Sequence, residues 1–179
     1  METRDLVRTA LMAALCVAIG YAVKLAVPLP NVEMFTAAVF TCGVLAGVGR
    51  GARVGLLGAM LYFGLNPHGV SPPPVYAASV VGMTAVGAGG GALIGLLPRL
   101  PRAAQPLVAG ASGFVLTLFY DLLTNLAVYL LLRESTSLAA VLLMGFSFPF
   151  PLAHPLGNML GCALLAPAVC RRARRWSVT

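Results

Sequence analysis

Charge in this chain is confined almost entirely to the breaks between long apolar runs, and that pattern leaves few folds open. Six runs stand out, at roughly 6–27, 34–49, 54–66, 76–97, 106–132 and 151–170. Of the 179 residues, 59% are hydrophobic and 9% charged, and the mean hydropathy is +0.92. Soluble domains carry about 25% charged residues, so the expected class is an all-α integral membrane protein. Six transmembrane helices in a single domain over residues 1–179 account for the whole length. The formal charge of +7 does not indicate nucleic-acid binding, because the basic residues sit in short clusters between spans, as membrane topology requires.

Those clusters also set an orientation. Arg4 and Arg8 open the chain, Arg50 and Arg53 fall in the second break, and Arg99 and Arg102 in the fourth. Arg171, Arg172, Arg174 and Arg175 close it. Six crossings put all ten on one side and leave Lys24 and Arg133 on the other, so both termini are expected in the cytoplasm of a prokaryotic cell, in its cytoplasmic membrane. The basic tail reads as the last topology anchor. The second and third runs are short against the ~20 residues that cross a bilayer, and Gly49–Arg53 is the punctuation of a tight helical hairpin between them. A four-span alternative would bury Arg50 and Arg53 in lipid. The first run is longer than the core of a cleavable leader, about 7–15 residues.

The outer loops are rich in Pro, Asn and Gly, which favours stiff turns. They carry Asn31 and Glu33 after the first run, and Asn66 and His68 after the third. Residues 138–148 are apolar and precede the break Phe148-Pro-Phe-Pro151, so a short helix in the outer leaflet is expected there, ahead of the sixth span.

The fifth run holds the most expensive residue. A carboxylate in hydrocarbon costs on the order of 3 kcal/mol, so Asp121 needs a reason. Thr117, Asp121, Thr124 and Asn125 share one helical face. Asp121 lies about 22 Å along its helix from Pro106, in the outer part of a ~30 Å core. The sixth run comes the opposite way, and His154 and Asn158 on one of its faces reach similar depth. With Asn31, Glu33 and Asn66 above them, Tyr120, Asp121, Asn125, His154 and Asn158 outline a binding site for something arriving from outside. The other reading is a brace, with Asp121 pairing to His154 or Asn158 and holding helices together. Glu33 taken alone reads as a solvated loop residue, and His68 as a turn residue. No H-E-x-x-H, G-x-S-x-G or paired-acid motif is present, so no catalytic residue, metal or cofactor is expected.

Cys16, Cys42, Cys162 and Cys170 each sit alone in apolar sequence and read as small buried hydrophobes. The glycines at 87, 89–91 and 95, and the pairs Gly43/Gly47, Gly51/Gly55 and Gly157/Gly161, read as close-packing positions between helices. Ala10, Ala14 and Ala18 make a smooth strip on the first helix, a docking surface either for an internal neighbour or for another subunit.

Several of these features together resemble the substrate-binding S components of energy-coupling factor (ECF) transporters, the vitamin uptake systems of prokaryotes. They are Pro30-Asn31-Val32-Glu33, the Gly49–Gly55 hairpin, Asn66-Pro-His-Gly69 with its proline run, Tyr120-Asp121-x-x-Thr124-Asn125, and Ala153-His154-x-x-Gly157-Asn158. The resemblance implies a vitamin-like ligand held at the outer face under the loops after the first and third spans. It implies docking of a transmembrane coupling subunit on Ala10, Ala14 and Ala18. It also implies two cytoplasmic ATPases, toppling in the membrane as the delivery step, and no chemistry of the chain's own. One departure stands out: Trp176 is in the tail, so stacking would fall to Tyr62, Phe63, Tyr76, Phe119, Tyr120, Phe146 or Phe148. The alternative is a structural scaffold subunit of cell-shape machinery with a related six-helix fold.

Overall fold

The computed structural model describes residues 2–27, 33–66, 69–132, 137–140 and 150–176. Six α-helices of twelve residues or more are described: α1 Thr3–Ala26, α2 Phe35–Ala46, α3 Val48–Gly64, α4 Pro73–Ala92, α5 Ala104–Leu132 and α6 Phe150–Trp176. A 3-10 turn, Leu97–Arg99, follows α4. Among the described residues four apolar stretches are long enough to cross a membrane, Thr3–Ala26, Pro73–Arg99, Ala104–Leu132 and Leu152–Arg172. At 12 residues α2 extends only about 18 Å.

Helix α2 is the centre of the bundle. Every residue from Phe35 to Val44 is buried, and the helix packs against α1, α3, α4 and α6. Its sequence is apolar or small on all sides, which suits a helix with no lipid-facing stripe. Thr41 can enter this core because its hydroxyl donates to the Ala37 carbonyl oxygen one turn back, at 2.7 Å.

The break between α2 and α3 lies at Gly47, two residues before the glycine–arginine punctuation expected to mark it. Gly47 has φ of 85°, a left-handed conformation that glycine adopts without steric cost. The chain re-enters a helix at Val48, so Gly49–Arg53 forms the first turns of α3. That shift puts Gly51 against α4. A β-carbon on Gly51 would overlap the Gly87 carbonyl oxygen, and one on Gly87 would overlap the Gly51 carbonyl oxygen. The two backbones touch, and the seam continues through Gly43, Gly55, Gly90 and Gly91. The expected close packing is therefore present, with three exceptions: Gly47 serves as a turn, and Gly95 and Gly157 are exposed with open space around them, whereas Gly161, the partner of Gly157, packs on Ala37.

Helix α1 lies on the outside of this seam, packed chiefly on α2 and α3. Its buried edge is Thr9, Ala13, Cys16 and Gly20. Ala10, Ala14 and Ala18 are all exposed, so the alanine strip faces away from the other described helices. Cys16 and Cys42, expected to sit alone, meet across the α1–α2 contact as buried free thiols with sulfurs 3.6 Å apart.

The ends of the bundle differ in chemistry. Arg50 at the start of α3 pairs with Asp5 at the start of α1. Arg171 near the end of α6 donates to the side-chain Oε1 of Gln105 at the start of α5, at 3.4 Å. At the other end the hydroxyl of Tyr21, late in α1, donates to the Tyr62 carbonyl oxygen, late in α3, at 2.6 Å.

Candidate functional site

Near this second end, residues from four separate parts of the chain meet around one imidazole. Glu33 immediately precedes α2, and the Thr36 hydroxyl one turn on donates to its Oε1 at 3.0 Å. The Tyr62 hydroxyl of α3 donates to Oε2 at 3.1 Å. His154 of α6 completes the set. Its Nε2 lies 3.2 Å from Glu33 Oε1, and its Nδ1 lies 2.7 Å from Asp121 Oδ1 on α5. Both ring nitrogens face carboxylates, and only the doubly protonated ring donates to both. Burial alone would raise the Glu33 carboxyl, but the bonds from His154, Thr36 and Tyr62 outweigh it and hold the group below the usual carboxylate range.

The helical spacing explains the rest. His154 and Asn158 are one turn apart on α6, and α5 packs antiparallel along that helix, with Gly110 beside Ala163, Gly113 beside Cys162 and Asp121 beside His154. Asn158 is fully buried. Neither its Oδ1 nor its Nδ2 has a hydrogen-bond partner among the described residues, and the same is true of the buried Asp121 Oδ2. Buried polar groups are normally paired, so three open atoms beside one cluster are a departure that needs an explanation.

Aromatic faces line the same end. Tyr62 stacks on Phe35 with centroids 4.2 Å apart, and Phe63 lies near-parallel to Tyr120 at 6.4 Å. Tyr120 sets its edge on the His154 ring at 5.9 Å and approaches Ser79 Oγ at 3.5 Å through its hydroxyl. Lys24 Nζ stands 5.9 Å from the Tyr62 ring centroid.

Of the residues expected at the site, Glu33, Tyr120, Asp121, His154 and Asn158 come together. Glu33 is not the solvated loop residue that it resembles when read alone. Asn125 is half-buried one turn past Asp121, and Asn66 is half-buried beyond the end of α3, its carbonyl oxygen accepting from Gly69 N–H at 3.0 Å. Asn31 and His68, Phe146 and Phe148, and all but the first three residues of the expected 138–148 helix lie outside the described residues. Phe119 is 46% exposed and makes none of the ring contacts described at the cluster. Tyr76 gives its hydroxyl to the Met60 carbonyl oxygen at 3.1 Å. Thr36 and Tyr21 were not anticipated; the only sequence signal for Thr36 is its position one turn after Glu33.

The described helices thus form a bundle, with stretches apolar and long enough to cross a membrane, around a buried polar cluster lined by aromatic rings. The model of the ECF-type riboflavin transporter S component family matches residues 1–92, just over half of the chain, and the chain belongs to that family. It is therefore a membrane transporter component that binds substrate, and not an enzyme. The match takes in α1 to α4, with Glu33, Tyr62 and the alanine strip, while Asp121, His154 and Asn158 lie beyond it. No curated protein matches the chain significantly.

Proposed function

We propose that this chain captures a water-soluble vitamin-like compound from outside the cell at the Glu33–Asp121–His154–Asn158 cluster. The carrying observation is Asn158, fully buried yet with both amide atoms unpartnered among the described residues. A brace would have its polar atoms satisfied by the protein, whereas a binding site leaves atoms for the ligand to pair. Asn125 and Asn66 belong to the rim of the same site and Tyr120 to its wall, and Asn31, outside the described residues, is assigned to it from the sequence alone. Riboflavin, named in the family description, is the first ligand to test.

In this reading the chain crosses a prokaryotic cytoplasmic membrane six times with both termini inside, supported by the arginine distribution. A transmembrane coupling subunit docks on Ala10, Ala14 and Ala18, supported by their exposure along α1. Two cytoplasmic ATPases drive delivery, and the subunit topples to carry its ligand inward. The family match favours this reading over a cell-shape scaffold. The test is to purify the protein from cells grown in rich medium and identify co-purifying small molecules by mass spectrometry. A vitamin-class compound that is retained by the wild type and lost in Asp121→Ala and Asn158→Ala is the expected result. Retention of the same compound by both variants would remove these residues from the site.

A further inference from the structure

The atoms left open at the cluster have a definite hydrogen-bonding sense. Glu33 is complete, with His154 and Thr36 on Oε1 and Tyr62 on Oε2. Asp121 spends Oδ1 on His154 and leaves Oδ2 open, and Asn158 leaves Oδ1 and Nδ2 open, among the described residues. The remainder is two acceptors and one amide donor. A carboxylate or phosphate would offer only acceptors and would set a further negative charge against Asp121. A cyclic imide, the polar edge of a flavin ring, offers one N–H between two carbonyls and leaves one protein acceptor unanswered. An amino-substituted edge, as in an aminopteridinone, offers an amino N–H, a ring N–H and an adjoining carbonyl, which answers all three atoms.

We propose that Asp121 and Asn158 together read the amino-substituted edge of a planar nitrogen heteroaromatic, with Asp121 Oδ2 accepting one N–H and the Asn158 amide pairing with the adjoining N–H and carbonyl. The proposal rests on the reading of this cluster as the vitamin site and departs from a flavin as its preferred occupant. Tyr120, buried, next to Asp121 in sequence and edge-on to the His154 ring, supplies an aromatic surface at the same cluster.

A matched pair of probes isolates the edge. Pterin (2-amino-4-oxopteridine) and lumazine (2,4-dioxopteridine) share one ring system and differ in that lumazine carries a carbonyl where pterin carries the amino group. With the purified full-length protein in equilibrium dialysis, pterin is expected to bind at least ~10-fold tighter than lumazine, the discrimination that one unanswered buried polar group gives. Asp121→Asn, which turns an acceptor into a donor, is expected to cancel or invert that preference. Lumazine binding as tightly as pterin to the wild type overturns the proposal and needs no variant to fold. Riboflavin in parallel dialysis separates the two levels. If riboflavin binds and pterin does not, the edge assignment fails and the vitamin site stands; if neither binds up to its solubility limit, both fail.

Discussion

The glycine seam and the polar cluster sit in the same bundle and are built on opposite principles. Along the seam, α2, α3 and α4 approach until backbone meets backbone, and Gly51 and Gly87 leave no room for a single added carbon. In the cluster, Glu33, Asp121, His154 and Asn158 are gathered at comparable depth, yet three of their polar atoms remain unpaired among the described residues. In lipid no hydrophobic force drives helices together, so contact area between small residues has to hold the bundle. Polar atoms in the same setting are costly and are kept where something arrives to pair with them. The difference teaches that one region is finished within the described residues, whereas the other keeps three polar atoms open, which the proposed function assigns to a ligand.

The largest expected effect falls on the finished region. Gly87→Ala forces a β-carbon into the Gly51 carbonyl, and overpacking of this kind costs about 3 kcal/mol or more. Thermal unfolding in detergent should drop by on the order of 10 °C, and an unchanged midpoint would mean that the seam is looser than described. Next comes His154→Ala. It leaves Glu33 and Asp121 facing each other without the ring between them, at a cost of about 3 kcal/mol for breaking a buried ion pair. Asn158→Leu should act in the opposite direction: it removes two unpaired buried atoms and should raise the midpoint of the ligand-free protein by a few degrees, for about 1–2 kcal/mol, while abolishing ligand retention. A fall in stability in that variant would show that Asn158 is already paired and would undo the contrast. The smallest effect belongs to the Asp5–Arg50 pair. With side chains 35% and 26% exposed, Asp5→Asn should cost at most about 1 kcal/mol.

Much of the site was legible in one dimension. Asp121 and Asn125, and His154 and Asn158, are one helical turn apart, so period alone puts each pair on one face, and antiparallel crossing puts Asp121 and His154 at matching depth. The full burial of α2 was not readable in its sequence, because a helix that is apolar on all sides is accepted equally by lipid and by neighbouring helices. Glu33 was placed above the site from its loop position, but its partner was not legible, because the bond to His154 spans 121 positions and nothing local to the loop announces it. The placement of the α2–α3 break was missed for a related reason. Gly47 and Gly49 are equivalent as letters, and only the packing of Gly51 against Gly87 decides which of them turns.

What the sequence determined by itself is the class: apolar runs with charge only at their breaks can be satisfied in a bilayer by helices, and a carboxylate among them signals a site. What the tertiary structure alone decided is which atoms of that site are spent. Glu33 is fully answered by Thr36, Tyr62 and His154, whereas Asp121 Oδ2 and the Asn158 amide are left open. Hydrogen bonds form between atoms brought within about 3 Å by distant segments, and residue identity does not reveal that distance.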